Sequence, residues 1–180
     1  MNKRVLLLHG WGGSDFPHWQ SWLASELAKD YGKVSFLQFS DFDFPDLNLW
    51  KKELINELAS FKPDIVVCHS LANTLWFHTV EEIKEVAKLY LVAPPSFNCD
   101  IEELQTFFPL QTPTKTSAKE SLLLASTNDP YMTLDEAKKL QKSLNIPMKV
   151  LENAGHINNE SGYGEWPWIL EELKKDLKKG

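Results

Sequence analysis

The chain has 180 residues, 43% of them hydrophobic and 24% charged, the balance of a folded protein with one substantial core and not of a disordered segment. Its formal net charge is -6 and no stretch gathers Lys or Arg into a stripe, which argues against nucleic acid as a partner. Cys68 and Cys99 make no disulfide framework, so a reducing, cytoplasmic setting is expected.

Lys3 and Arg4 ahead of the apolar run at residues 5–8 imitate a signal peptide, but the run is too short and His9-Gly10-Trp11-Gly12-Gly13 breaks it at once. It reads as a first strand. No segment approaches membrane-spanning length, and no membrane association is expected. Trp19, Trp22, Leu23 and Leu27 then fall on one helical face. Residues 34–39 form a second strand pattern, and Asp46 precedes a helix carrying Trp50, Leu54, Leu58 and Phe61. The third apolar run, residues 65–68, ends in Cys68 and leads through His69-Ser70-Leu71-Ala72 into a helix over 71–80. Further runs follow at 89–93 and 122–125. Thr133 and Glu136 form a capping box ahead of Ala137, Leu140 and Leu144. After the last run, 148–151, Pro167 opens a helix with Ile169, Leu170, Leu173 and Leu177. Its lysines, through Lys179, read as a solvated face.

The runs are short, continuous and often β-branched, as in strands buried on both faces. Alternation with helices, without repeat or linker, predicts one α/β domain over residues 1–180. The expected architecture is a three-layer α/β/α sandwich on a six-stranded, mainly parallel sheet. In such a sheet the carboxyl ends of the strands share one edge, where ligands bind. The notable polar residues all follow strand ends: the glycine loop after the first, Ser70 after the third, Asp129 after the fifth, His156 after the sixth.

A serine between a buried strand and a helix can sit on a sharp, strained turn that exposes its oxygen. It can equally be an ordinary helix N-cap. Small residues two before and two after, here Cys68 and Ala72 in place of the usual glycines, let strand and helix approach. Imidazole suits the removal of a serine proton near neutral pH, and Asp129 is the favoured partner for His156, although Asp-Pro also merely opens turns. Asp135, within a helix, and Glu152, on a strand, are worse placed. Among the other histidines, His69 is expected to point away from Ser70, His9 to lie in a loop facing the substrate, and His18 and His78 to be helix residues. The glycine loop lacks the Gly-Lys-Ser/Thr ending of a phosphate loop and the dinucleotide spacing. It makes better sense as half of an oxyanion hole, with the backbone N–H groups of Trp11 and Leu71 as donors. Phe97, Phe107 and Phe108 either line an acyl pocket or cap the core. Histidines and cysteines show no metal-ligand spacing, so neither metal nor cofactor is expected.

Taken together, His9-Gly10-Trp11-Gly12-Gly13-Ser14, Trp19-Gln20-Ser21-Trp22, His69-Ser70-Leu71 and Ser126-Thr127-Asn128-Asp129-Pro130 form a recognisable set. Gly155-His156-Ile157-Asn158, running into Ser161-Gly162-Tyr163-Gly164-Glu165-Trp166-Pro167, is its most specific part. The chain resembles, over nearly its whole length, the small serine hydrolases that include bacterial YdeN and mammalian retinoblastoma-binding protein 9. The resemblance implies a compact α/β-hydrolase with Ser70, Asp129 and His156 as its triad, acting on small esters or amides (carboxylesterase-like chemistry). It also brings in the other expectation, a protein-binding module on a hydrolase scaffold with little turnover.

Overall fold

The structure is a computed structural model that describes residues 3–30 and 32–178. Six strands make one sheet: β1 (Arg4–Leu8), β2 (Lys33–Leu37), β3 (Ile65–His69), β4 (Val86–Val92), β5 (Ala118–Ser126) and β6 (Met148–Leu151). Their order is β2-β1-β3-β4-β5-β6, and every neighbouring pair is parallel. Between and after them lie α1 (Trp19–Asp30), α2 (Leu47–Phe61), α3 (Leu71–Thr79), α4 (Leu134–Leu144) and α5 (Pro167–Lys178).

Successive strand side chains point to opposite faces, and both faces are covered. Leu6, Leu8, Val66, Cys68, Leu89 and Leu91 pack beneath α2, α3 and α4 with Trp50, Leu54, Leu75 and Trp76. Val5, Leu7, Ile65, Val67, Tyr90 and Val92 pack beneath α1 and α5 with Trp19, Leu23, Ile169 and Leu173. That double burial is why the strands read as continuous apolar runs and not as alternating ones. The three-layer sandwich expected from the sequence is the observed architecture. Among the described residues no helix is long and apolar enough to cross a membrane. Lys179 lies outside the described residues.

Strand limits differ from the apolar runs for specific reasons. β2 stops at Leu37, short of Phe39, because the Phe39 N–H turns to the Nε2 of His9 (2.9 Å). β4 and β5 begin earlier, as Val86 pairs with Ala118 and Lys88 with Glu120. Ala87, Lys88, Lys119 and Glu120 in these stretches are partly or fully exposed and three of them are charged, so an apolar criterion passes over them.

The order places a topological switch between β1 and β3. The chain leaves β1 outward to β2 and returns to β3 on the other side, with α1 on one face of the sheet and α2 and α3 on the other. A crevice opens above the carboxyl ends of such a strand pair. Gly10 and Ser70 follow those two ends.

Candidate active site

Ser70 occupies the N-cap position of α3 with φ 54° and ψ -125°, and its side chain makes no cap hydrogen bond. A non-glycine residue at positive φ is strained and persists only where its surroundings over-determine it. Here they do. The Ser70 N–H donates to the Val92 carbonyl (3.0 Å), while the Asn73 amide donates to the carbonyls of both Ser70 (2.8 Å) and Val92 (2.9 Å). Cys68 and Ala72 are fully buried and fit the turn. The thiol of Cys68 is pushed well up by burial, which keeps it protonated and inert. Gly10 supplies the remaining space, since a Cβ there would sit 2.8 Å from the Cβ of Ser70.

The Ser70 hydroxyl lies 2.8 Å from Nε2 of His156, and Nδ1 of His156 lies 3.0 Å from both carboxylate oxygens of Asp129. An Nδ1–H donated to Asp129 leaves the Nε2 lone pair free to accept from the hydroxyl. The imidazole and the carboxylate are buried. Asp129 also accepts the Tyr131 N–H (2.9 Å), so the turn and the imidazole share one side chain. Asp135 is exposed beside Lys138. It and Glu152 take no part.

A lattice of short polar residues holds the two loops together. Ser126 Oγ accepts the Ala154 N–H (3.0 Å), Thr127 Oγ1 the Asn153 N–H (2.9 Å), and Asn128 Oδ1 the Gly155 N–H (2.8 Å). Ile157 is a β-branched residue at φ 50°. It is held there by full burial and by the Trp19 indole, which donates to its carbonyl (2.7 Å). These residues belong to the motif set of the sequence but are not legible there as positioning groups, because their partners are set by packing between distant loops.

The backbone amides of Trp11 and Leu71 make no hydrogen bond among the described residues, whereas Gly12 and Gly13 donate to the Phe42 and Gly10 carbonyls. A Cβ on Gly10 would come within 3.2 Å of the Leu71 nitrogen, so the two loops meet beside Ser70. The cleft there measures about 450 Å³ and includes Trp11, Leu71, Ile101, Leu104 and Tyr131 in its lining. Tyr131 packs edge-on to His156, with ring centres 4.5 Å apart.

Of the two places expected for Phe97, Phe107 and Phe108, the structure shows the core: Phe107 and Phe108 belong to it, Phe97 packs against them, and none of the three lines this cleft. Other expectations need correction. His9 does not face a substrate. It is fully buried, its Nε2 accepting from Phe39 and its Nδ1–H donating to the Gly10 carbonyl (2.7 Å). His69 turns from the Ser70 hydroxyl as expected, donating from Nε2 to the His156 carbonyl (3.1 Å), yet it still borders the cleft. His18 precedes α1 and is not within it, although His78 does belong to α3. Burial lowers the pKa of His9, drives that of His69 well down with help from its histidine neighbours, and brings that of His18 to about 4. These three rings bond backbone groups, while His156 alone among them faces a carboxylate. No group of three or more His, Cys, Asp or Glu side chains among the described residues is arranged to hold a metal ion.

The chain is similar to several known proteins. The Bacillus subtilis protein YdeN is 24% identical over 96% of this chain and 95% of its own. The crystal structure of the B. subtilis ydeN product superposes with a TM-score of 0.85 at 21% identity, covering 99% of this chain and all of that one. A YdeN-like protein of Pectobacterium atrosepticum gives a TM-score of 0.78 at 26% identity over 98% and 91% of the two chains. An esterase domain from Rhodothermus marinus shares the fold alone, with a TM-score of 0.70 at 14% identity, over 96% and 85%. The model of one family, described as serine hydrolase, matches residues 5–175. With that match across nearly all of its length, on an α/β-hydrolase fold, the chain belongs to the serine hydrolase family.

Proposed function

We propose that this member hydrolyses small carboxylic esters, and amides more slowly, through an acyl-enzyme. Ser70 Oγ attacks the carbonyl carbon as Nε2 of His156 takes its proton. The Asp129 carboxylate holds the imidazole tautomer and stabilises the imidazolium. The amides of Trp11 and Leu71 receive the developing oxyanion, each such donor being worth about 3 kcal/mol in the transition state. Collapse of the tetrahedral adduct expels the alcohol, which takes the proton from His156 and leaves Ser70 acylated. Water, deprotonated by the same imidazole, then releases the acid and restores the serine.

The observation that carries this reading is the unbroken chain from Asp129 through His156 to Ser70, at 3.0 and 2.8 Å. It opens on a cleft partly walled by Trp11, Leu71, Ile101, Leu104 and Tyr131, beside two uncommitted amides. The free thiols of Cys68 and Cys99 fit the reducing cytoplasm we propose as its setting. The test is labelling with a fluorophosphonate probe together with turnover of p-nitrophenyl acyl esters. Stoichiometric modification of Ser70, abolished in Ser70→Ala, is the expected result. An unlabelled, inactive protein would favour a binding scaffold instead.

A further inference from the structure

His18 stands at the N-cap position of α1. Its carbonyl accepts the Trp22 N–H (3.2 Å), and its Nδ1 accepts the Gln20 N–H (3.1 Å). This role is ordinarily filled by a hydroxyl, carboxylate or amide oxygen. An imidazole in that role has a fixed tautomer: a ring nitrogen that accepts carries no proton, so the proton of the neutral ring is on Nε2. Burial, reinforced by the neighbouring His156 and His9, holds the pKa down to about 4, so the ring is neutral at ordinary pH. His18 is only 6% exposed, its Nε2 has no hydrogen-bond partner among the described residues, and it borders the same cleft as Ser70 and His156. In the cleft, water or an oxygen of a bound substrate can fill the place of the missing partner.

The surroundings say which part of a substrate would fill it. The His18 ring lies 4.9 Å from that of His69, which in turn lies 5.3 Å from that of His156. Trp19, next in the chain, donates to the Ile157 and Tyr163 carbonyls, both on the loop that carries His156. His18 therefore stands beside the loop that carries His156. In the hydrolase reading, on which this inference rests, His156 hands its proton to the departing alcohol. We propose that His18 is a specificity-determining residue whose Nε2–H binds an acceptor oxygen in the leaving group. The favoured substrates are then esters whose alcohol carries a second oxygen near the scissile bond, such as glycol and glycerol esters, over plain alkyl esters.

The test uses 2-methoxyethyl and n-butyl esters of one acid, which differ by an ether oxygen in place of a methylene. Each kcat/KM is divided by that ester's own rate of alkaline hydrolysis, which removes the difference in leaving-group reactivity. The wild type should favour the ether ester by about 3- to 10-fold, the range of one neutral hydrogen bond. His18→Asn keeps an acceptor for the Gln20 N–H but removes the distant donor. It should fold, as judged by its melting curve, and bring the ratio to about one through a higher KM for the ether ester. A purely structural His18 would slow both esters together and leave the ratio intact. A corrected ratio near one in the wild type, or a ratio that survives His18→Asn, overturns the proposal. Absence of Ser70-dependent turnover on both esters overturns the hydrolase reading itself, and this inference with it.

Discussion

Two helices of this protein begin with a hydroxyl residue in the same place, and the two hydroxyls do different work. Thr133 ahead of α4 sits at φ -68° and ψ 155°, accepts the Glu136 N–H, and receives the Glu136 carboxylate on its own N–H. Ser70 ahead of α3 sits at φ 54° and ψ -125°, leaves the helix uncapped and turns its hydroxyl to His156. The backbone makes the difference. An extended N-cap aims its side chain at the first turn, whereas the left-handed conformation at Ser70 aims it across the sheet edge. That conformation is imposed by Val92, Asn73 and the vacancy at Gly10. The same step leaves the Leu71 amide without an acceptor, where a helix start favours negative charge. One hydroxyl satisfies its helix, and the other is freed at the cost of local strain.

The sharpest way to break this contrast is to remove the freed hydroxyl. Ser70→Ala should lower ester kcat by roughly five to six orders of magnitude while melting near the wild type, as read by calorimetry. Ser70→Gly should be as inactive but melt higher than Ser70→Ala, because glycine adopts the positive φ without strain. Equal melting temperatures would mean that the elbow stores no strain. Next comes the carboxylate behind the base. Asp129→Asn retains an oxygen for the Tyr131 N–H but favours the wrong imidazole tautomer, and a drop of about 10⁴ in kcat is expected. Asp135→Asn should stay within about threefold, as expected of an exposed surface charge; the opposite ranking would displace Asp129 from the chain.

The surroundings of the two helix starts also differ in how they meet acid. Near Ser70 lie the buried, neutral rings of His9, His18 and His69, all with lowered pKa values. Because the unfolded chain protonates its histidines near pH 6.5 and the fold resists, the unfolded state binds more protons as pH falls. Stability present at pH 7 to 8 is therefore lost on acidification below pH 6.5, by up to about 1.4 kcal/mol per pH unit for each such ring. For His18 the loss continues to about pH 4. Melting curves at pH 7.5, 6 and 5 should show Tm falling, and a flat Tm would place charged imidazoles inside the fold. The smallest effect belongs to the other helix. Thr133→Ala should cost about 1 kcal/mol, a Tm drop of about 2–4 °C, with ester turnover unchanged.

Much of this was legible along the chain because it depends on local repetition. Apolar runs located all six strands, a one-face stripe located α1, α2 and α5, and Thr133 with Glu136 marked the start of α4. Strand-helix alternation then implied the shared edge on which residues 10, 70, 129 and 156 meet. What repetition could not reveal was how individual side chains turn within that edge. Ser70 and Thr133 are alike as letters; only a backbone rotation set by β4 and Gly10 separates them. The places expected of His9 and His18 were wrong, because the burial and backbone partners that orient each ring leave no mark along the chain. Asp129 proved to serve the turn and the imidazole together. Residues 70 and 156 are 86 positions apart, and 129 and 156 are 27 apart. The pattern of hydrophobicity is a property of neighbours along the chain and survives in the sequence. A 2.8 Å hydrogen bond between distant loops is a property of packing, and only the tertiary structure decides it.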